Sequence, residues 1–139
     1  MLIRRFRDTD RAALIALWAR CGLIRPVNDP NKDIDRKLAT QPDLLLVGER
    51  AGRLIAAVMV GYDGHRGWVN YLGVDPDLQK QGYGRQLMAE VERVLRERGC
   101  PKINLQILET NAKVQGFYER LGFTRDPVIQ MGKRLVVDS

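Results

Sequence analysis

The sequence predicts an α/β fold with a mixed central sheet. Short apolar runs indicate strands, and longer segments with apolar residues at three- and four-residue spacing indicate helices. The runs Leu44–Glu49, Arg53–Tyr62 and Trp68–Val74 are joined by short turns, which predicts antiparallel pairing. The strand–helix–strand unit from Trp68 to Leu108 should instead be parallel, with a right-handed crossover. Both kinds of pairing therefore share one sheet.

The chain begins with one predicted strand and two predicted helices. Leu2–Phe6 alternates loosely and indicates a strand, and the polar residues after it offer a helix cap. The first helix should run from Asp10 to Cys21, with one apolar face formed by Leu14, Leu17, Trp18 and Cys21. Prolines and asparagines mark Leu23–Asn31 as a loop, and a short helix is expected over Asp33–Ala39.

The remaining elements follow the glycine-containing hairpin loop Asp63–Gly67. A strongly amphipathic helix is predicted from Gln86 until it stops at Gly99. A strand over Lys102–Leu108 and a helix over Asn111–Gly122 come next, with the final glycine placed as a cap. The segment Val128–Val137 is predicted to close the sheet as one strand or two.

Composition favours a single domain spanning residues 1–139. The 139 residues suffice for a hydrophobic core, and no apolar run approaches the ~18 residues that cross a bilayer. The first residues lack the apolar region of a signal peptide, so a cytoplasmic protein is expected. Cys21, Cys100 and His65 have no metal-ligand spacing, so neither a metal site nor a structural disulfide is predicted.

Two glycines at the start of the amphipathic helix need an explanation, because glycine is a poor helix former. Gly82 and Gly84 leave backbone N–H groups accessible at a helix N-terminus, and Lys80 and Arg85 add positive charge. These features predict a phosphate-binding turn. It matches neither nucleotide motif, because the Walker spacing is missing and Leu87 occupies the third glycine position of the dinucleotide motif.

Two motifs resemble the GCN5-related N-acetyltransferases. QKQGYG (Gln79–Gly84) is similar to the Q/R-x-x-G-x-G/A signature of that family, and it follows an L-G-V-D-P strand end. NAKVQGFYERLGF (Asn111–Phe123) resembles the family motif N-x-x-A-x-x-F-Y-x-x-x-G-F, except that the small residue is displaced. The resemblance covers nearly the whole chain. It implies a mixed sheet of six to seven strands, helices on both faces, and fourth and fifth strands that splay apart.

The resemblance also implies a cofactor and the residues that contact it. Acetyl-CoA would lie between the splayed strands as a co-substrate and donate its acetyl group to an amine. Tyr118 would protonate the departing thiolate, and no covalent enzyme intermediate would form. The residues implied to contact the cofactor are Leu72, Gly73 and Val74 along the pantetheine arm, Lys80, Gln81, Gly82, Tyr83, Gly84 and Arg85 at the pyrophosphate, and Asn111 on the arm.

The general base is left open by the sequence. Some relatives carry a glutamate five residues before the motif asparagine, and Gln106 occupies that position here, where an amide cannot accept a proton usefully. The remaining candidates are Glu109, Asp63, His65, Asp29 and Tyr71. Arg25 and Asp29, in the proline-rich loop, are candidates to border the acceptor site.

The net charge of +6 favours anionic partners, and a polyphosphate cofactor fits it better than nucleic acid. The basic residues are scattered, and aromatic residues make up only 6% of the chain, which disfavours base stacking. The expected acceptor is a small-molecule or peptide amine, with no nucleic acid or membrane partner. A catalytically weak CoA-binding sensor or interaction module is the alternative function. The oligomeric state stays open, a homodimer included.

Overall fold

A computed structural model describes residues 1–138 of the chain. Five strands form one sheet in the order β1-β2-β3-β4-β5. Their bounds are β1 Leu2–Arg5, β2 Leu45–Arg50, β3 Arg53–Tyr62, β4 Gly67–Val74 and β5 Ile103–Leu105. The helices are α1 Arg11–Arg20, α2 Pro30–Thr40, α3 Tyr83–Glu97 and α4 Ala112–Arg120.

The predicted mixed pairing is confirmed. β1 to β4 form an antiparallel meander, and β5 then pairs parallel to β4 after the α3 crossover. The parallel contact is short, because only Gly67, Trp68 and Val69 of β4 have partners on β5. The last part of β4 therefore continues without a strand beside it on the β5 side.

Two predictions about the sheet are wrong. The described residues form five strands instead of six to seven, and Val128–Val137 contains no strand. The apolar pattern of this segment fits a strand, but a strand also needs a neighbour for its backbone groups. None of the five strands pairs with the segment, and the residue that follows it, Asp138, is bound to α2 through a salt bridge with Arg36. β5 is also shorter than the predicted Lys102–Leu108.

Apolar residues cover both faces of the sheet, as predicted. On one face α3 buries an apolar stripe against the strands, and the same cluster includes Tyr118 of α4; the stripe comprises Leu87, Met88, Val91 and Leu95. On the other face α1 and α2 form a second cluster that includes Leu14, Leu17, Trp18 and Ile34. The first helix thus uses the face that its sequence predicted.

A buried carboxylate fixes the chain where β4 ends. The side chain of Asp75 is 1% exposed, and the guanidinium of Arg20 donates to both its oxygens at 2.9 and 3.0 Å. It also caps the short turn Pro76–Leu78 by accepting from the Asp77 N–H at 2.9 Å. Together with Arg20, this N–H lowers the pKa of the Asp75 carboxyl. The segment leading to the glycine turn is thereby tied to α1.

We expect Asp75→Ala to lower the free energy of unfolding by about 1–3 kcal/mol, measured by urea denaturation, because it removes a cap and a buried ion-pair partner. Asp77→Ala is the matched control, since Asp77 binds the same arginine from an 83% exposed position and should cost about 0.5 kcal/mol or less. Equal losses for the two variants would contradict the buried role of Asp75.

The same carboxylate predicts a dependence of stability on pH. Because folding lowers its pKa, the stabilisation is present above the ordinary value of 3.8 and is lost as the pH falls toward the folded-state value. The free energy of unfolding should therefore fall less between neutral and acid pH in Asp75→Ala than in the unmodified chain, measured by urea denaturation at each pH.

Candidate active site

The predicted cofactor residues lie on the elements around the point where the pairing of β4 with β5 ends. Strand pairing stops at Val69 and Leu105, while β4 runs on to Val74. The splay of the fourth and fifth strands stays a prediction, because β5 itself ends where the pairing ends. Leu72, Gly73 and Val74 lie on this unpaired stretch, where the backbone of β4 is available to a bound molecule on the β5 side.

A β-bulge reshapes β4 just before Leu72. Met59 pairs with Asn70 and Ala57 pairs with Gly73, so three steps on β4 match two on β3. Tyr71 takes up the extra residue with a φ of +54°, a conformation that side chains with a Cβ rarely adopt. Bulges of this kind redirect backbone and side-chain groups next to functional sites. This bulge could not be predicted from the sequence, because it is a property of the register between two strands.

The glycine turn presents a row of free backbone donors. Among residues 1–138, the N–H groups of residues 80 to 85 have no hydrogen-bond acceptor, and the first N–H that bonds is that of Gln86, to the Gly82 carbonyl at 3.0 Å. Lys80 and Gly82 both have left-handed backbone conformations, with φ of +64° and +85°. Unpaired donors at a helix N-terminus are suited to phosphate oxygens. α3 begins at Tyr83, three residues before the predicted start, because Gly82 takes the N-cap position.

The second glycine of the turn has a packing role as well. A Cβ on Gly84 would lie 3.1 Å from two ring carbons of Phe117, so α3 and α4 meet closely at this point. Gln79 joins the same elements, because its amide donates to the Val74 carbonyl at 3.3 Å and accepts from Lys113 at 3.2 Å. The turn, the end of β4 and the start of α4 are therefore connected by side-chain packing and hydrogen bonds.

Asn111 and Tyr118 lie on α4 as the motif predicts. Asn111 is the N-cap, and its side-chain oxygen accepts from the Val114 N–H at 3.1 Å, which leaves its NH₂ group free. The Tyr118 ring packs edge-on against Phe117 and Phe123, in the same apolar cluster as Leu72. The helix ends with Gly122 in the left-handed conformation, as predicted.

The hydroxyl of Tyr118 is free although its ring is buried. The residue is 6% exposed, yet no group within residues 1–138 makes a hydrogen bond to its hydroxyl oxygen, and that oxygen is not sealed from solvent. Burial raises the pKa of the phenol above its usual value of 10. The hydroxyl is thus protonated at neutral pH and available as a proton donor.

The structure separates the candidate bases. Asp63 and His65 occupy the β3–β4 hairpin, at the end of β4 where β5 is paired. β4 begins beside this hairpin at Gly67, and five residues at ~3.3 Å each put Leu72 about 17 Å further along the strand. The Asp63 carboxylate accepts from the backbone N–H groups of His65 and Arg66 at 2.8 and 2.7 Å, which lowers its pKa. The Asp63 side chain and the His65 backbone are thus bonded to each other within the hairpin.

Tyr71 and Asp29 also have defined partners. The Tyr71 hydroxyl donates to Asp33 at 2.6 Å, and burial together with that carboxylate raises the pKa of the phenol. Its ring stacks on Trp18 with the ring centroids 4.0 Å apart. Asp29 caps α2 by accepting from the Asn31 N–H at 2.9 Å. Sequence reasoning missed Asp33, whose helical position gave no signal for a contact with β4.

Gln106 and Glu109 follow β5 and are both exposed. They line a groove together with Tyr118 and the outer side of β5. This groove includes neither residues 72–74 nor the glycine turn, but Tyr118, which packs in the same apolar cluster as Leu72, lines it. Arg25 is exposed in the loop before α2.

Comparison with known proteins identifies the fold and its motifs. The sequence profile described as "Acetyltransferase (GNAT) family" matches residues 6–123. An acetyltransferase of Pectobacterium atrosepticum is 50% identical over 138 residues, which span 99% of this chain and 98% of the relative. This chain belongs to the GNAT acetyltransferase family.

Solved GNAT structures have the same architecture. The PaiA N-acetyltransferase of Thermoplasma acidophilum, in complex with coenzyme A, matches with a TM-score of 0.80 over 92% of each chain at 17% identity. The ribosomal-protein-S18-alanine N-acetyltransferase of Escherichia coli matches with a TM-score of 0.75 at 23% identity, covering 90% of this chain and 78% of that one. The family match and the relative of 50% identity confirm the resemblance stated from the two motifs, so the protein is an N-acetyltransferase.

The GNAT family uses acetyl-CoA as acetyl donor. The free donors of the glycine turn and the unpaired end of β4 fit such a molecule, which combines a pyrophosphate with an amide-containing arm. Within residues 1–138 no group of three or more His, Cys, Asp or Glu side chains is arranged to hold a metal ion. No helix of the described part is long and apolar enough to cross a bilayer.

Proposed function

We propose that this GNAT protein transfers the acetyl group of acetyl-CoA directly to an amine within a ternary complex. The observation that supports this most is the row of unpaired N–H groups over residues 80 to 85, next to a β4 edge without a strand partner. The pyrophosphate would accept hydrogen bonds from these groups, aided by the charges of Lys80 and Arg85. The pantetheine arm would lie along Leu72–Val74, and the free NH₂ group of Asn111 would donate to it.

The proposed chemical step uses two groups, the N–H of Leu72 near the end of β4 and the hydroxyl of Tyr118. The neutral amine attacks the thioester carbonyl, and the N–H of Leu72 after the bulge stabilises the developing oxyanion. The tetrahedral species then collapses, so the C–S bond breaks as the C–N bond is completed. The thiolate takes a proton from Tyr118, whose hydroxyl has no competing partner in the described chain. The attacking nitrogen loses its proton to water, and a proton from solvent returns to the Tyr118 phenolate, so the enzyme is unchanged after each turnover.

An acceptor screen tests this function. Purified protein is given acetyl-CoA and panels of small amines, amino acids, aminoglycosides and peptides, and thiol release is followed. We expect release that depends on both the protein and one acceptor class. The alternative function is a CoA-binding sensor, and Gln106 in place of a glutamate is the residue that favours it. Tight CoA binding without turnover on any amine would support this alternative.

The cofactor turn can be tested separately with Gly84→Asp. A carboxylate at the pyrophosphate position should weaken acetyl-CoA binding at least tenfold, or about 1.4 kcal/mol, by calorimetry. Because any Cβ here meets Phe117 at 3.1 Å, Gly84→Ala is the matched control that carries the steric change without the charge. We expect Gly84→Asp to bind acetyl-CoA at least tenfold more weakly than Gly84→Ala. Equal affinities would remove the phosphate-binding role from this turn.

A further inference from the structure

The bulge in β4 changes the face of the sheet on which its side chains lie. Alternate residues of a regular strand share one face, so Tyr71 would then lie on the same face as Val69. Val69 packs in the cluster that contains the α3 stripe, whereas Tyr71 packs in the cluster of α1 and α2. Leu72 and Val74 return to the face of Val69. The position of Leu72 in the strand therefore depends on which face Tyr71 occupies.

Strand pairing does not fix the backbone at the bulge. Among the described strands, the register of β3 with β4 gives no partner to Tyr71 or Leu72, and pairing with β5 ends at Val69. The φ of Tyr71 is +54°, which is unfavourable for a residue with a Cβ. A residue strained in this way keeps its conformation only where the surrounding structure determines it. Side-chain contacts of Tyr71 are therefore needed to hold the bulge.

Two contacts fix the Tyr71 side chain on the face of α1 and α2. Its ring stacks on the buried ring of Trp18, with an angle of 20° between the two planes. Its hydroxyl donates to Oδ2 of Asp33 at 2.6 Å, which is short and typical of a bond to a carboxylate. Because burial and this carboxylate raise the pKa of the phenol, the hydroxyl stays protonated and donates at neutral pH.

Asp33 is itself held in place by α2. Its backbone N–H donates to the Asp29 carbonyl at 3.0 Å, in the first turn of the helix. Its second carboxylate oxygen, Oδ1, accepts from Arg36 at 3.3 Å, and Arg36 in turn binds Asp138 with two hydrogen bonds. The Asp33 side chain is 22% exposed. The Tyr71 hydroxyl therefore meets an acceptor whose position is set by a helix on the other side of the chain from the motifs.

We propose that Asp33 is a positioning residue for acetyl transfer. By holding Tyr71 on the face of α1 and α2, it keeps the bulge formed, and the bulge sets the direction of the Leu72 N–H. The inference rests on the proposed function, in which this N–H stabilises the oxyanion of the thioester. An oxyanion donor is effective only when it lies about 2.7–3.1 Å from the place that the oxygen takes in the transition state. A relaxed bulge would therefore cost catalysis without removing any group from the reaction centre.

The test compares variants that remove or keep the hydrogen bond between Asp33 and Tyr71. Asp33→Leu and Tyr71→Phe each remove it, and the second leaves the stack on Trp18 intact. Asp33→Asn keeps it, because an amide can bond to a hydroxyl through either its oxygen or its NH₂ group. Asp35→Leu is the matched control, since Asp35 lies on the same helix, is 65% exposed and binds Arg11 instead.

The first measurement is steady-state kinetics with the acceptor found in the screen. Asp33→Leu and Tyr71→Phe should each lower kcat by about tenfold to 10²-fold, the upper value being the loss of one oxyanion donor. KM for acetyl-CoA should change by less than about twofold, because the donor acts in the transition state. The double variant should be no slower than either single variant, since both remove the same bond. Asp33→Asn and Asp35→Leu should keep kcat within about threefold of the unmodified value.

The second measurement is the φ of residue 71 in the protein without substrate, from NMR scalar couplings. The positive φ should be lost in Asp33→Leu and Tyr71→Phe and kept in Asp33→Asn and Asp35→Leu. A positive φ in both bond-deleting variants would overturn the inference, whatever their activity. A lost positive φ with unchanged kcat would overturn it as well, because the bulge would then have no part in catalysis. If the unmodified protein acetylates no amine, the proposed function fails, while φ still shows whether Asp33 holds the bulge.

Discussion

Tyr118→Phe should lower kcat by about 10²-fold or more, the usual contribution of a positioned general acid. The hydroxyl of Tyr118 has no hydrogen-bond partner in the described chain, while the ring packs against Phe117 and Phe123. The variant therefore loses the proton donor and keeps the packing. KM for acetyl-CoA and the free energy of unfolding should change little, which separates a catalytic role from a structural one.

The control for this variant is Tyr62→Phe, at the end of β3 on the same face of the sheet. It removes a phenol hydroxyl outside the candidate site, and kcat should stay unchanged. Because burial raises the Tyr118 pKa, the unmodified enzyme should also show no loss of the acid on the alkaline side below about pH 10. A fall in kcat of less than threefold, with chemistry rate-limiting, would make Tyr118 a core residue.

We expect the acceptor to present an amine of low pKa. At low acceptor concentration, such an amine should be acetylated two to three orders of magnitude faster than an unperturbed lysine. A lysine ε-amine has a pKa near 10.4 and an α-amine one of about 7.7–8.0. At pH 7.5 the neutral fraction is about 0.1% for the first and roughly 25–40% for the second. Gln106 cannot act as a base, and Asp63 and His65 lie in the β3–β4 hairpin. An enzyme without a strong base depends on the amine already being neutral.

Paired acceptors measure this preference. One peptide carries a free α-amine and no lysine, and its partner carries a blocked N-terminus and one lysine. At saturating acetyl-CoA and low acceptor, the rate should rise with pH and level off near the acceptor's own pKa. Single substitutions of Asp63, His65 and Glu109 should leave this profile in place. If one of them abolishes turnover and removes an ionisation while CoA binding persists, that residue is the base.

The sequence predicted those features that depend on local pattern. Arg53–Tyr62 is a strand with the predicted bounds, and Asn111 and Gly122 cap α4 as expected. Sequence motifs also located the glycine turn, although α3 begins at Tyr83 because Gly82 supplies the cap. These are consequences of side-chain periodicity and of the backbone preferences of single residues.

Features that depend on pairing between distant segments could not be predicted. The bulge at Tyr71 arises from the register between β3 and β4, and its hydroxyl bonds to Asp33, 38 residues earlier in the chain. The segment Val128–Val137 has the alternation of a strand, but whether it forms one depends on the strand edge that is available to it. The residue pattern of one segment does not identify the segment with which it pairs.

The glycine turn is held by contacts within the chain. Lys80 has a strained left-handed conformation, and the segment that leads into the turn is fixed by Asp75 and Gln79. The conformational entropy of ordering these residues is therefore lost during folding and not at the moment of recognition. In the proposed function these donors would meet an incoming pyrophosphate already aligned, and the positive charges of Lys80 and Arg85 would speed the encounter with it.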